Sequence, residues 1–570
     1  MLIIRKIHKW LMLILAGQFL IWALSGLYMV VFDIHYIHGN SLVKEHHKSL
    51  STNNIKYSVD SLSQNFPNFE NLELSFWMDK PVYRFIFNEE KQLVDAISGQ
   101  ILPSLKEEVA IETAKYYYTG SGDVTSSKLI IEKPPFELSS RHLPAWQIKF
   151  ADLGSPTFYI SEKDGKLVTK RHDFWRIFDW MFSFHVMDFK EEDVSNKLLF
   201  VFTVLSIIAV TAGAVLTGFR FLKERTPTQA NVSVFKSLHK WLSLIIGIQI
   251  IIWVGTGLYF NLMDSSKASG NQFRTKLETP IISTNGLISA ETIVAKHSLI
   301  ESVELKTLLD KPIYLVTHEK ALYKHFQNDY SIVDAKTGVV IELEEKLAEK
   351  IAKLSYSGNG DVISVEFINA GEGEILKEKN SLWRVSFDDS VNTSVYIDAG
   401  SGRIAGHVDD DKRLADIMFM LHFMDYAQKG SFNNLQNIIL ATLTLFFVMT
   451  GMLWLVELFK IGQLNILFWG SSKRLNIVCD KTNESFSLVS HVNASLLSVA
   501  AKEGIRIPST CGGGGTCGTC KIKPIETLKV MPTEKYMLSE EELQQGYRLA
   551  CQHKISETQS ITVNRLSKST

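Results

Sequence analysis

Four long apolar runs interrupt an otherwise mixed chain: Leu11–Val31, Leu198–Phe219, Leu242–Leu262 and Leu435–Val456. Each goes about 20 residues without a formal charge, the length that the hydrocarbon core of a bilayer demands, so four membrane-crossing helices are predicted. The first run is not read as a cleaved signal, because it ends in the bulky GLYMVVFD rather than in small residues. Between the runs the pattern shortens. VYRFIF and TFYISE alternate with period two and predict strands, and VDAISG predicts a turn between strands. EEVAIETAKYYYTGSGD and EEKLAEKIAKLSYSGNGD predict helices closed by a glycine-rich stop.

The pattern occurs twice. At an offset of 231, HKWLMLILAGQFLIWALSGLYMVVFD from His8 aligns with HKWLSLIIGIQIIIWVGTGLYFNLMD from His239. The match continues through DKPVY (79–83) with DKPIY (310–314), VDAISG (94–99) with VDAKTG (333–338), and YTGSGDV (118–124) with YSGNGDV (356–362). Trp146 then answers Trp383, and FHVMDF (184–189) answers LHFMDY (421–426). The expected architecture is therefore two copies of helix, external α+β region, helix, followed by a tail. Both copies start on the same side, so this is a parallel duplication about a pseudo-twofold axis along the membrane normal.

Charge sets the orientation. Arg5, Lys6 and Lys9 precede the first run; Arg220, Lys223, Arg225 and Lys236 lie between the second and third; Lys460, Lys473 and Arg474 follow the fourth. These flanks predict cytoplasmic termini and a cytoplasmic link, with both long regions outside. The expected division is a transmembrane helix at 1–33, an external region at 34–196, a helix at 197–222 and a link at 223–236. A helix at 237–263, an external region at 264–433, a helix at 434–458, a linker at 459–472 and a C-terminal domain at 473–570 complete it. A net charge of −1 over 570 residues argues against a nucleic-acid partner.

The Pro-Val/Ile-Tyr strand, the Asp-Ala-x-x-Gly turn and the flanking His-Lys-Trp helices resemble the PepSY-associated transmembrane proteins over roughly residues 1–458. That resemblance implies PepSY-like external domains and a place in a bacterial inner membrane. Family members include haem-containing reductases that act on ferric siderophores.

Four of the five cysteines fall in the last 60 residues: Cys511-x5-Cys517-x2-Cys520, then Cys551. Thiolates suit iron–sulfur clusters or zinc. Structural zinc favours two separated Cys-x2-Cys pairs, which this is not. The glycines suggest a tight loop whose N–H groups can point at cluster sulfurs, and the plant-type spacing is one residue shorter in the first gap. CGGGGTCGTC resembles the ferredoxin domain of sodium-translocating NADH:quinone reductase and, more loosely, vertebrate-type ferredoxins, over about 473–566. A [2Fe–2S] cluster in a β-grasp domain is expected, with structural zinc as the alternative. No Gly-x-Gly-x-x-Gly follows a strand, so the electron donor is expected to be a separate cytoplasmic flavin- or NAD(P)H-dependent reductase. Cys479, in RLNIVCD, reads as a buried strand position without a role.

Lipid insulates, so a redox tail on a membrane duplication calls for a bridge, and histidine is a common haem ligand. The repeat picks out His8 with His239 at the cytoplasmic ends of the first and third helices, and His185 with His422 just before the second and fourth. Each pair is expected to hold one b-type haem between two imidazoles, at the inner and outer face respectively. Anchoring at the interface is the competing reading for any single histidine. Cross-pairing is an open alternative, and His35, His38, His46 and His47, near the outer end of the first helix and without repeat counterparts, are read as alternative ligands, a metal-handling surface or nothing. Gln18/Gln249, Trp22/Trp253, Ser25-Gly26 and Thr256-Gly257 are expected to face the bundle.

The function expected is transmembrane electron transfer to an external acceptor; by resemblance this would be ferric iron or a ferric siderophore. One alternative keeps the wire and ends it on quinone, a thiol or a periplasmic redox protein. The other makes the external regions a binding or protease-regulating module, for which a ferredoxin has no use.

Overall fold

The computed structural model describes residues 2–188, 196–222, 234–276, 282, 286–427, 433–460, 472–480, 484–491, 494–502, 504–563 and 567–568. The expected link (223–236) and linker (459–472) lie largely outside these residues. Contacts divide the chain into two compact units, one of Met1–Leu27, Asn196–Leu258 and Ile439–Thr570, the other of Tyr28–Ser195 and Tyr259–Ile438.

The first unit holds the long helices. They run Leu2–Val31, Lys197–Leu222, Val234–Leu262 and Leu435–Lys460, the first and third continuing into the second unit. At 26 to 30 residues they reach about 39–45 Å, more than a hydrocarbon core of about 30 Å. All four have spans long and apolar enough to cross a membrane. Their packing is inverted relative to a water-soluble bundle. Ile14, Ile245 and Ile248 point outward, whereas the small polar Ser25, Ser206 and Thr256 are buried with Leu15, Ala209 and Ile246. Ser25 and its repeat counterpart Thr256 bond their own helices, donating to Ile21 O and Ile252 O at 2.7 Å each.

The same unit carries the C-terminal domain. Strand Ser472–Cys479 pairs antiparallel with Ser485–His491 and parallel with Ser560–Val563, which pairs with Lys521–Pro524. Helix Leu496–Lys502 contributes Val499 to a core with Leu475, Ile477, Ile522 and Ile561. Cys479 lies in that core, 1 % exposed.

In the second unit each half carries a four-stranded sheet (124–171 and 362–408) backed by a helix, Glu107–Tyr117 or Glu345–Ser355. Trp146 donates to Leu105 O and Trp383 to Leu343 O, the same bond in both halves. The glycines after these helices do not act as a left-handed stop. Each helix ends at an extended tyrosine, Tyr118 or Tyr356, whose ring folds over Gly120 or Gly358, leaving no room for a side chain there.

The remaining strands depart from two self-contained domains. Strands 70–95 and 302–341 merge into one seven-stranded sheet through antiparallel pairing of Glu70–Trp77 with Ser302–Leu308. Glu73 faces Glu304, its own counterpart at the 231-residue offset. One hydrophobic core, including Leu74, Tyr83, Val303 and Tyr314, serves both halves. Alternation along a strand shows which face is buried but not which edge meets which, so a shared sheet is invisible to periodicity.

Glu73 is the electrostatic hinge of that seam. Burial pushes its carboxyl up, but Lys166, Lys320 and Arg84 outweigh burial and hold it well below the usual carboxylate range. Its stabilisation is therefore present above the ordinary glutamate value of 4.5 and is lost as pH falls below it. Glu73→Gln is expected to lower the opening free energy of strand Glu70–Trp77 by about 2 kcal/mol, discounted because Lys166 is half exposed. Hydrogen exchange on the full chain reads this; an unchanged rate would refute it.

Candidate functional site

The four tail cysteines form two pairs. The Cys511 and Cys517 sulfurs stand 3.2 Å apart, and the Cys520 thiol donates to Cys551. The first pair is half-buried, the second buried. The loop between them turns through left-handed glycines: Gly513 has φ +96° and Gly515 +70°, and a Cβ on Gly515 would lie 2.6 Å from the Gln552 amide nitrogen. Only glycine tolerates that backbone at no steric cost, and the turns aim N–H groups inward. Burial raises the Cys517 thiol, but hydrogen bonds from the Thr519 hydroxyl and N–H, from Thr510 and from Cys511 outweigh it, pushing it down to about 6. Cys551 is pushed down to about 7 by Cys520, against burial, with help from the Gln552 amide and the Gly515 N–H; the shared hydrogen bond pushes Cys520 up. One sulfur of each pair, Cys517 and Cys551, is thus favoured as thiolate.

The four candidate histidines fall two to a unit, His8 and His239 in the first and His185 and His422 in the second. His8 bonds Ala209 O at 2.8 Å through Nδ1, and His239 bonds Phe447 O at 3.1 Å through Nδ1. A carbonyl oxygen only accepts, so Nδ1 carries the proton and, in the neutral ring, Nε2 keeps its lone pair. Four residues beyond each carbonyl is a glycine, Gly213 in VTAG (210–213) and Gly451 in VMTG (448–451). A Cβ on either would lie 2.9 Å from the imidazole Cε1 of its histidine. Sequence reasoning missed these glycines; alignment of the second and fourth helices would have found them. His239 also stacks on Phe447, with ring centroids 4.2 Å apart.

His185 and His422 sit near the ends of helices Asp173–Val186 and Asp410–Phe423, which the sequence reading did not anticipate. Both helices stop at a left-handed methionine, Met187 or Met424. The two imidazoles approach to 6.3 Å between centroids with their planes at 83°. Phe260 and Phe423 crowd His422 at 5.4 and 5.3 Å. Burial, with His185 adding to it, pushes His422 down to about 3, so the ring is neutral and able to ligate a metal.

Elsewhere His297 and His318 also approach, with ring centroids 6.1 Å apart. His46 stacks on Tyr116, His47 pairs with Glu301 at 2.8 Å, and His35 meets the Asn40 amide. Among the described residues no three His, Cys, Asp or Glu side chains form a metal cage. The arrangement is one of pairs.

Comparison with known proteins defines the class. The profile of the PepSY-associated TM region matches residues 5–457, and the chain belongs to that family. That of the 2Fe-2S iron-sulfur cluster binding domain matches residues 481–556, so a 2Fe-2S ferredoxin domain follows the membrane region. Relatives of this second part include the F component of the Na(+)-translocating NADH-quinone reductase of Pasteurella multocida, 35 % identical over 101 residues, covering 17 % of this chain and 25 % of that protein. Its counterpart in Neisseria meningitidis serogroup C is 38 % identical over 88 residues, covering 15 % of this chain and 21 % of the relative. The chain spans about a quarter or less of the length of these relatives.

Proposed function

We propose that the protein moves electrons across a bacterial inner membrane, from a cytoplasmic flavin- or NAD(P)H-dependent reductase to ferric iron or a ferric siderophore outside. One observation carries this reading: a 2Fe-2S domain shares a chain with four membrane-length helices. A [2Fe–2S] cluster and two b-type haems would each supply one-electron oxidation and reduction.

The chain's own residues do the positioning. Cys511 with Cys517, and Cys520 with Cys551, would each hold one iron of the cluster, and the Gly515 and Thr519 N–H groups would stabilise charge on sulfur. His8 and His239 would ligate the inner haem through Nε2, each oriented by the carbonyl at its Nδ1, as in many metal-binding histidines. His185 and His422 would ligate the outer haem. Their rings already approach to 6.3 Å between centroids, close enough that both would reach one bound group. Inside the bundle the Gln18 amide nitrogen and the Ser206 hydroxyl are buried without a protein partner among the described residues, polar atoms that a bound group would satisfy.

The pairs follow from duplication about a pseudo-twofold axis, a reading supported by the Glu73–Glu304 self-pairing. The strand order of the tail supports a β-grasp ferredoxin. Positive flanks support cytoplasmic termini and periplasmic PepSY-like regions. The test is the purified full chain in proteoliposomes. Two b-type haem signals and one cluster signal are expected, with haem reoxidised by an external ferric chelate after reduction from the cluster side. Preparations without haem would rule the reading out. Reoxidation by quinone alone would move the acceptor.

A further inference from the structure

The electron-transfer reading leaves open how a tethered soluble domain meets the bundle. The structure shows one hydrogen bond and one near approach within the first unit. Arg5 Nη1 donates to the backbone carbonyl of Cys511 at 2.8 Å. Lys236 reaches the same loop: a Cβ on Gly514 would lie 3.9 Å from its Nζ. Arg5 and Lys236 occupy the same place in the two repeats, at the offset that relates His8 to His239. Each lies three residues before its histidine, on the same helix face and one turn nearer the cytoplasmic end. Lys236 Nζ also lies 6.0 Å from the Trp454 ring, and that ring lies 5.8 Å from His239.

We infer that Arg5 and Lys236 are a docking pair that seats the cluster loop on the bundle, directly over the His8/His239 pair. They are positioning residues and ligate nothing. The inference rests on the proposed electron path but makes a separate claim: the tail delivers to its own chain through one defined interface, instead of diffusing on its linker among partners. The transfer served would be a single electron, passing from the cluster that the cysteines would hold to the haem that His8 and His239 would hold, with no proton or group moving. Both side chains bring positive charge to a loop carrying three of the four cysteines, so they would also favour the reduced, more negative cluster.

The same two positions help hold the first and third helices inside-positive, so the test uses neutral variants and not charge reversals. In the full-length chain in nanodiscs, Arg5→Gln with Lys236→Gln is expected to speed amide exchange across 511–515. Losing charge-assisted bonds of this kind weakens docking about ten- to hundredfold. The cluster's midpoint potential should fall, while the cluster and haem spectra keep their shapes. Arg5→Lys with Lys236→Arg should restore protection. Lys6→Gln with Lys9→Gln, an equal loss of charge beside the interface, should leave it intact. If the double glutamine variant does not insert, Arg5→Gln alone carries the test, with a smaller shift of the same sign. Unchanged exchange in the glutamine variant, or equal loss in the Lys6/Lys9 control, overturns the docking pair. A protected loop in a chain that binds no haem would keep the docking and remove the electron path, so the two failures are distinguishable.

Discussion

Replacing His422 by alanine is expected to remove one of two b-type haem signals and leave the other, together with the cluster's signal, unchanged. His185→Ala should remove the same signal, since the two rings stand 6.3 Å apart, a separation that one shared iron allows. Loss of a partner behind a metal ligand alone costs about 10- to 100-fold in affinity, so loss of a ligand should empty the site at micromolar haem. Folding should survive. Neither histidine belongs to the cores that hold the sheets of the second unit, and the helix ends are set by the following methionines. His35→Ala serves as the control, because the contacts of His35 are with Asn40 and Phe326, away from the paired rings. Absorption and redox titration of the purified variants read the result. Retention of both signals in His185→Ala and His422→Ala would refute the shared site, and loss of both would place His185 and His422 in a common structural role instead.

Repetition converts chain position into an expected spatial correspondence, and for His185 and His422 the two rings do approach. His8 could be matched to His239, and His185 to His422, before any geometry was known. The membrane helices were equally legible, since length and the absence of charge are local properties. What periodicity could not supply was anything that depends on partners far apart in the chain. The Glu70–Trp77 and Ser302–Leu308 strands meet edge to edge, and the carbonyls behind His8 and His239 come from helices about 200 residues away. Helix Asp173–Val186 escaped notice for a different reason. DFWRIFDWMFSFHV is aromatic on several faces and ends on methionine without a glycine or proline, so its boundaries carry no familiar punctuation. Arg5 and Lys236 were visible only as inside-positive flanks; their contact with the cysteine loop adds a second use for the same charges.

Cys551→Ser is expected to abolish the [2Fe–2S] signal while both haem signals persist and remain reducible by dithionite. Cys551 is buried, 5 % exposed, and it comes from a separate strand–turn segment, so it closes the site that Cys511, Cys517 and Cys520 begin. A serine there is a poor soft ligand and leaves Gln552 and the Gly515 N–H facing an oxygen too short to reach. Reduction from the cytoplasmic side should therefore stop, although the haems can still accept electrons supplied directly. Cys479→Ser provides the contrast. Cys479 is as buried as Cys520 but lies in strand Ser472–Cys479 within the hydrophobic core. Its replacement should cost about 1–2 kcal/mol for burying a hydroxyl and leave the cluster signal and its potential where they were. Electron paramagnetic resonance of the reduced full chain distinguishes the two variants. A cluster surviving in Cys551→Ser would mean that the fourth ligand is another residue. A cluster lost in Cys479→Ser at a temperature where the domain stays folded would show that the lone strand cysteine belongs to the site.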